Sequence, residues 1–405
     1  MDEPIVVQTA SQSETASSRI GSREHVTVRL TPRSGAGNLT GIQRMKKMLN
    51  RSYALAALAA LTLTAARPAA AQCRYTITDL GTLPGYAADN YFEWQSSINN
   101  LGHVAAYANN VEPANPNGFS GDVSFIWNSS NSKTLLPGLP GSTDTIVFNV
   151  NDLDQSVGIS TLTGVQVACQ WSSDGKVKSL PSLPGDTGSG SLVINNFGTS
   201  VGFSGIPGSA TLNAVKWENG RAIPLASLPG MAYSQCISIN DSGVVVGYSG
   251  PNGNQFDAVA WVDGFVINLG GLGGTISFPY AISACNVIVG QANTSQTNFD
   301  SFVPVVWQFG KVISLGNFGT DAYGIAIGVN IWGQIVGASG PSVFDALTAH
   351  ALLWENGKII NLQDQIPADS GWVLLAAVGI NDSGQIDGFG LHNGRYRDFI
   401  LTPGI

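Results

Sequence analysis

Downstream of residue 90 the chain alternates short apolar runs with small polar clusters. The pattern is cleanest at Ile239-Asn240-Asp241-Ser242-Gly243-Val244-Val245-Val246-Gly247-Tyr248. β-Branched and aromatic residues flank a polar quartet there, which predicts two strands joined by a tight turn. Asn240 suits the first position of a type I turn, and Asp241 and Ser242 suit its centre. Gly243 suits the left-handed residue that closes a three-residue hairpin loop with a bulge. Versions recur at Ile98–Gly102, Val150–Asp154, Ile194–Gly198, Ile282–Asn286, Val329–Gly333 and Ile380–Gly384. Where the glycine is lost, Asp154 or Asn286 replaces it, and these types tolerate positive φ. Where the asparagine is lost, Ser283 replaces it. The exchanges obey turn chemistry, so the asparagine is read as a turn residue rather than a ligand contact.

Each repeat carries a second hairpin. Its first strand ends in Trp, at Trp127, Trp171, Trp217, Trp261, Trp307 and Trp354. A turn such as Glu218-Asn219-Gly220 follows, then an apolar strand and a connection that often reads Leu-Pro-Gly, as at Leu183–Gly185 and Leu228–Gly230. Four strands per repeat, here a to d, recur with a period of roughly 43 to 52 residues, in the range of propeller blades. The chain ends supply an orphan d strand, Tyr75–Gly81, and an orphan c strand, Asp398–Leu401. Pairing them closes the ring and leaves no long sheet edge exposed. The expected fold is all-β: a seven-bladed β-propeller of four-stranded antiparallel blades, closed by the N-terminal strand completing the last blade. The Trp residues are expected in the core. The strand-b glycine, Gly247 and its equivalents, is expected opposite the Trp ring.

The N-terminal region differs. Residues 1–44 are polar and lack apolar periodicity, so an unstructured extension is expected. Met45–Arg51 is basic, Tyr53–Ala66 is apolar, and Ala69-Ala70-Ala71 is a small-residue cleavage site. Residues 45–71 therefore read as a secretory signal peptide cut between Ala71 and Gln72, with translation starting at Met45 and 72–405 forming the repeat domain. The product is expected outside the cell or in the periplasm, with no membrane span in the mature form. From residue 72 onward there are ten basic and 23 acidic residues, a formal net charge of −13. Such a surface repels nucleic acid and anionic membranes. Cys73, Cys169, Cys236 and Cys285 share no spacing motif and are expected as buried free thiols.

Residues 75–405 resemble the HAF family of bacterial extracellular repeat proteins. The resemblance rests on His350-Ala351-Leu352-Leu353-Trp354, on the Ile-Asn-x-x-Gly hairpins and on Asp79-Leu80-Gly81-Thr82-Leu83-Pro84-Gly85. The other repeats lack the His, and Phe is mostly Val or Leu. The Pro-Glu-Pro sorting tail of many relatives is absent after Thr402, which implies release rather than cell-surface processing. The family carries no catalytic residues across.

No catalytic constellation is legible, and neither metal nor cofactor is expected. His103, His350 and His392 lie at no metal-ligand spacing, and no nucleophile elbow or phosphate loop occurs. The a–b and c–d turns are stereotyped, whereas the b–c and d–a connections at the opposite end are long and irregular. Function concentrates on such loops. Aromatics there, Tyr91, Trp94, Phe119, Tyr233, Tyr280, Tyr323, Trp372 and Tyr396, suggest a ligand-binding face. The leading expectation is a monomeric, secreted, non-catalytic propeller binding an extracellular glycan or protein. The alternatives are a polysaccharide-active hydrolase or lyase with carboxylates meeting in the funnel, or a structural matrix protein. Asp89, Glu93, Glu112 and Asp122 are the carboxylates whose meeting would favour the enzyme.

Overall fold

The computed structural model describes residues 75–405 except 82, 84–87, 90–97, 110–121, 129–131, 210, 253–254, 296–301, 343–347 and 405. The expected extension, the expected signal peptide with its cleavage point, and Cys73 lie outside the described residues.

After β1 (Tyr75–Asp79) comes a four-stranded antiparallel sheet of β2 (Ala88–Asp89), β3 (Val104–Asn109), β4 (Val123–Trp127) and β5 (Lys133–Leu136). The next holds β6 (Asp144–Val150), β7 (Ser156–Leu162), β8 (Val165–Trp171) and β9 (Val177–Ser179). The order repeats in β10 (Gly188–Ile194), β11 (Ser200–Gly205), β12 (Leu212–Glu218) and β13 (Arg221–Pro224). It repeats again in β14 (Tyr233–Ile239), β15 (Val245–Asn252), β16 (Gln255–Val262) and β17 (Phe265–Asn268). One parallel pairing, Leu212 with Tyr233, joins β10–β17 into an eight-stranded sheet. Two four-stranded sheets follow. One holds β18 (Ser277–Ile282), β19 (Ile288–Asn293), β20 (Phe302–Gln308) and β21 (Lys311–Ser314). The other holds β22 (Tyr323–Val329), β23 (Ile335–Gly340), β24 (His350–Glu355) and β25 (Lys358–Asn361). Finally β26 (Trp372–Ile380), β27 (Ile386–His392) and β28 (Arg395–Pro403) are completed by β1, paired antiparallel from Tyr75–Pro403 to Asp79–Phe399. The chain ends thus share one sheet, the velcro closure that the orphan strands imply and one consistent with a β-propeller.

The sheets grade from buried to exposed. Strands a and b, as in β22 and β23, are buried almost throughout, and strand d, as in β21, is mostly exposed. Composition follows: Val, Ile, Ala, Gly and Ser fill a and b, and Lys or Arg opens the d strands β5, β13, β21 and β25. Apolar clusters are shared between neighbouring sheets. One of them packs Ile400 of β28 against Leu80, Ile98, Phe125 and Trp127.

The hairpin asparagines do more than hold their turns. Asn240 Oδ1 accepts the Val244 N–H at 3.0 Å, while Gly243 donates to Asn240 O at 3.0 Å. Gly243 has φ +80°, and Asp154 and Asn286 take +56° and +61° in the same place, as the turn chemistry requires. Each side-chain amide then reaches the next hairpin. Asn99 Nδ2 donates to Asn151 O (2.8 Å), Asn151 to Asn195 O (2.9 Å) and Asn195 to Asn240 O (3.2 Å). Asn240 donates to Ser283 O (3.0 Å), Asn330 to Asn381 O (3.1 Å), and Asn381 back to Asn99 O (3.1 Å). Ser283 has no amide, and there the relay skips a link. The relay spans the other junctions, including the one between the last hairpin and the first, and fixes those inner sheet ends to one another.

The tryptophans staple the outer part. Trp171, Trp217, Trp261, Trp307 and Trp354 are buried, and each indole N–H donates to a carbonyl in the connection that leaves the preceding sheet. The acceptors are Pro137, Pro181, Ala226, Gly270 and Gly316, at 2.7–3.2 Å. The strand-b glycines are not opposite these rings, and that expectation is corrected. Gly247 pairs with Val259, whereas Trp261 pairs with Val245. The glycine is required because strand a carries a bulge, here between Cys236 and Ser238, that pushes a carbonyl inward. A Cβ on Gly247 would overlap Gln235 O, and one on Gly158, Gly202, Gly290 or Gly337 would meet the equivalent oxygen.

Candidate functional site

One cavity, of about 200 Å³, sits at the hairpin end and is lined by all seven Asn-type hairpins. Its inner tier is the residue after each turn asparagine. Asp152 Oδ2 accepts from Asn100 Nδ2 (3.1 Å) and Asn196 Nδ2 (2.9 Å), and Asp241 Oδ2 accepts from Asn196 Nδ2 (3.0 Å). These carboxylates already have amide donors, so this tier reads as part of the relay. The sequence shows it as a column of Asn or Asp interrupted by Ala284 and Ile331.

A larger cavity, of about 410 Å³, opens at the loop-bearing end between the β6–β9 sheet and its neighbour. Its polar side chains come from Asp144, Thr161, Gln166, Ser189, Ser209, Thr211 and Tyr233, and its apolar wall from Ile146, Ile159, Phe203, Ile206, Pro207 and Leu212. Asp144 opens β6 at the position where other repeats place Gly188, Tyr233 or Tyr323. It is 7% exposed, and Thr143 Oγ1 donates to its Oδ2 at 2.9 Å. Asp122, 4% exposed, precedes β4, and its main-chain oxygen accepts the Thr145 N–H at 3.2 Å. Among the described residues, neither Asp122 carboxylate oxygen has a hydrogen-bond partner. Burial, and then the neighbouring Asp144 charge, pushes the Asp122 carboxyl up to about 6. Two carboxyl groups therefore lie near one another at the loop-bearing end, one in the cavity wall and one whose proton affinity burial raises.

The carboxylates singled out from sequence fare unevenly. Asp122 belongs to this pair, Asp89 lies in β2, and Glu93 and Glu112 lie outside the described residues. Asp144 was missed. Its only sequence signal is that it is the one acidic residue among the strand-a starts compared above.

The aromatics also separate. Tyr91, Trp94 and Phe119 lie outside the described residues. Tyr233 lines the larger cavity, stacked 6.2 Å from Tyr248 and tilted against Phe256 at 5.5 Å. Tyr280 and Tyr323 share Gln291, which donates to the Tyr280 hydroxyl (3.1 Å) and accepts from that of Tyr323 (2.8 Å). Burial pushes both phenols well above their usual value. Trp372 is buried and stacks 4.6 Å from His392. Tyr323 and Trp372 are thus buried in apolar clusters, Tyr323 beside Phe302 and Trp372 beside Phe399. Tyr396 is exposed.

Each described histidine pairs with a carboxylate through Nδ1: His103 with Asp154 (2.7 Å), His350 with Asp321 (3.0 Å) and His392 with Asp79 (2.7 Å). Among the described residues no three His, Cys, Asp or Glu side chains group as a metal site. Cys169, Cys236 and Cys285 are free, and burial pushes the Cys169 thiol up to about 12. No described helix is long and apolar enough to cross a membrane, which says nothing of β-barrels.

No family model matches the chain, the HAF family included, and no curated protein matches it. Among solved structures, it is similar to the β-propeller domain of the trilobed protease from Pyrococcus furiosus, with a TM-score of 0.50 and 13% identity over 76% of this chain and 95% of that one. That likeness shows a propeller fold. Virginiamycin B lyase from Staphylococcus aureus, solved with quinupristin, has a TM-score of 0.48 and 13% identity over 81% of this chain and 99% of that one. The acylaminoacyl peptidase of Pyrococcus horikoshii also has 0.48 and 13%, over 75% and 49%. The expectation of a non-catalytic binding propeller is corrected by these matches: proteins of similar architecture include lyases and peptidases, so the architecture is no ground for excluding chemistry. At such identities they carry no reaction over to this chain.

Proposed function

We propose that this chain is a secreted polysaccharide-active enzyme, a hydrolase or lyase, working in the loop-end cavity of a seven-bladed propeller. The observation that carries it is the carboxyl pair: Asp144 in the cavity wall, with Asp122 beside it raised to about 6. Neighbouring carboxyl groups are the groups that supply acid and base to glycoside chemistry. An apolar wall with a few convergent polar groups suits a sugar, whose ring faces are apolar and whose edges are hydroxylated. Seven blades follow from counting the β10–β17 sheet as two repeats beside the five four-stranded sheets. Secretion rests on the leader-like segment 45–71, and a place among HAF-type repeat proteins on the hairpin and His350–Trp354 motifs.

The test incubates the full chain with a panel of soluble polysaccharides and follows new chain ends, as reducing sugar and as absorbance of unsaturated sugar. Sustained release of either supports the proposal. Absence of both across neutral and acidic polymers overturns it.

A further inference from the structure

The geometry points to hydrolysis of an uncharged pyranoside, and not elimination from a uronate, as the reaction of the loop-end cavity. This inference rests on the enzyme reading above and narrows it.

The cavity's charge decides between the two chemistries. Among its described lining residues there is no Lys, Arg or His; the titratable ones are Asp144 and Tyr233. Elimination removes the proton beside a sugar carboxylate, and that proton becomes acidic only when a cation or strong donor set neutralises the carboxylate. Here the cavity offers a uronate another carboxylate, Asp144, with Asp122 behind it. Like charges in a buried setting repel, so both binding and elimination of a uronate are opposed. A neutral pyranose meets no such penalty.

The walls fit such a ring. Phe203 lies over Gly190 of β10, where a Cβ would collide with the phenyl edge, so the missing side chain sets where the aromatic rests. Leu212 is in contact range of Gly205 in the same way, and Pro207 of Gly188. These glycines keep the apolar side chains flat against the sheet and the cavity open. Gln166 and Thr161 stand on the opposite strands with groups able to bond hydroxyls.

The step balances with one water. The Asp144 carboxylate takes a proton from water as the water oxygen adds to C1; the bond from C1 to the glycosidic oxygen breaks through an oxocarbenium-like centre, and that proton passes from Asp144 to the leaving oxygen. Nothing is oxidised or reduced. Asp122 is a positioning residue: burial and the Asp144 charge push its carboxyl up to about 6, and where it changes charge the field at Asp144 changes with it. Replacing Asp122 therefore moves the pH profile, which a purely structural role would not do.

The experiment compares neutral polymers (β-glucan, mannan, xylan) with polygalacturonate and alginate, using the full chain in ¹⁸O-water. The expected result is reducing ends from a neutral polymer, ¹⁸O at the new anomeric carbon and no absorbance at 235 nm. Phe203→Ala and Gly190→Ala should raise KM for that polymer by about tenfold with melting curves retained. Asp122→Asn should shift the acid or alkaline limb of the rate profile by about one pH unit or more. Unsaturated product from a uronate overturns this inference and leaves the enzyme reading standing. No product from any polymer overturns both. Neutral-polymer cleavage unaffected by Phe203→Ala and Gly190→Ala places the reaction outside this cavity and overturns the inference as well.

Discussion

Asn381→Ala tests whether the amide relay is what ties the ring shut. Asn381 is buried, and its side chain makes four hydrogen bonds. Oδ1 accepts the N–H groups of Ser383 (3.1 Å) and Gln385 (2.9 Å), and Nδ2 donates to Asn99 O (3.1 Å) and Gln385 Oε1 (2.8 Å). Alanine removes all four. Two partners recover in part: Ser383 is exposed and takes water, and Asn99 O still accepts the Gly102 N–H at 3.0 Å. At about 1 kcal/mol net per bond, with roughly half of the set re-satisfied, the expected loss is about 2–3 kcal/mol. Asn151→Ala removes the equivalent contacts to Leu153, Gln155 and Asn195 between sheets adjacent in sequence. Both links join neighbouring hairpins through the same asparagine amide, so the two variants should lose stability equally, within about 0.5 kcal/mol. Urea melts measure both. A loss below about 1 kcal/mol for Asn381→Ala, beside a full loss for Asn151→Ala, would show that the sequence-distant link is not made.

Other expectations follow from the same contacts. Ser283→Asn supplies the missing amide of the relay and should stabilise by about 1 kcal/mol in the same melts. Trp261→Ala should lose about 3–5 kcal/mol, and Trp261→Phe, which keeps a ring but drops the bond to Ala226 O, about 1–2 kcal/mol. Gly247→Ala forces a Cβ onto Gln235 O and should lose at least about 2 kcal/mol. Asp122 has a folded-state affinity raised from 3.8 to about 6, so the folded state holds its proton where the unfolded state has released it. Stability from this group therefore falls as pH rises from about 4 to about 6 and is flat above, by at most about 3 kcal/mol. Asp122→Asn should remove that fall in melts taken at pH 4, 6 and 8. Native Cys169 and Cys236 should resist thiol reagents at pH 8 and react after unfolding.

The hairpins, the four-strand repeat and the terminal closure were legible because each is local. Turn chemistry at Asn240–Gly243 and the unpaired strands at the two chain ends need no knowledge of distant contacts. The relay was not legible, since a turn asparagine and one that also donates across a sheet boundary are the same residue in the same place. Gly247 was assigned to the wrong neighbour because strand alternation does not reveal the β15–β16 register, which pairs Trp261 with Val245 and Gly247 with Val259. Tyr323 and Trp372 looked like surface aromatics from their loop-end positions; Gln291 and His392, each distant in sequence, turn them inward. Asp144 was invisible for a related reason. A carboxylate opening a strand reads as a solvated turn residue until Asp122, 22 positions earlier, is folded against it.

The most direct measurement is the rate of chain-end release from a responding neutral polysaccharide by the full wild-type chain and by Asp144→Asn, at matched concentration and with melting curves recorded for both. A carboxyl that carries the proton to the glycosidic oxygen contributes about 10²–10⁴ in rate, so the account predicts a loss of at least about a hundredfold with folding retained. Equal rates for the two proteins would contradict it.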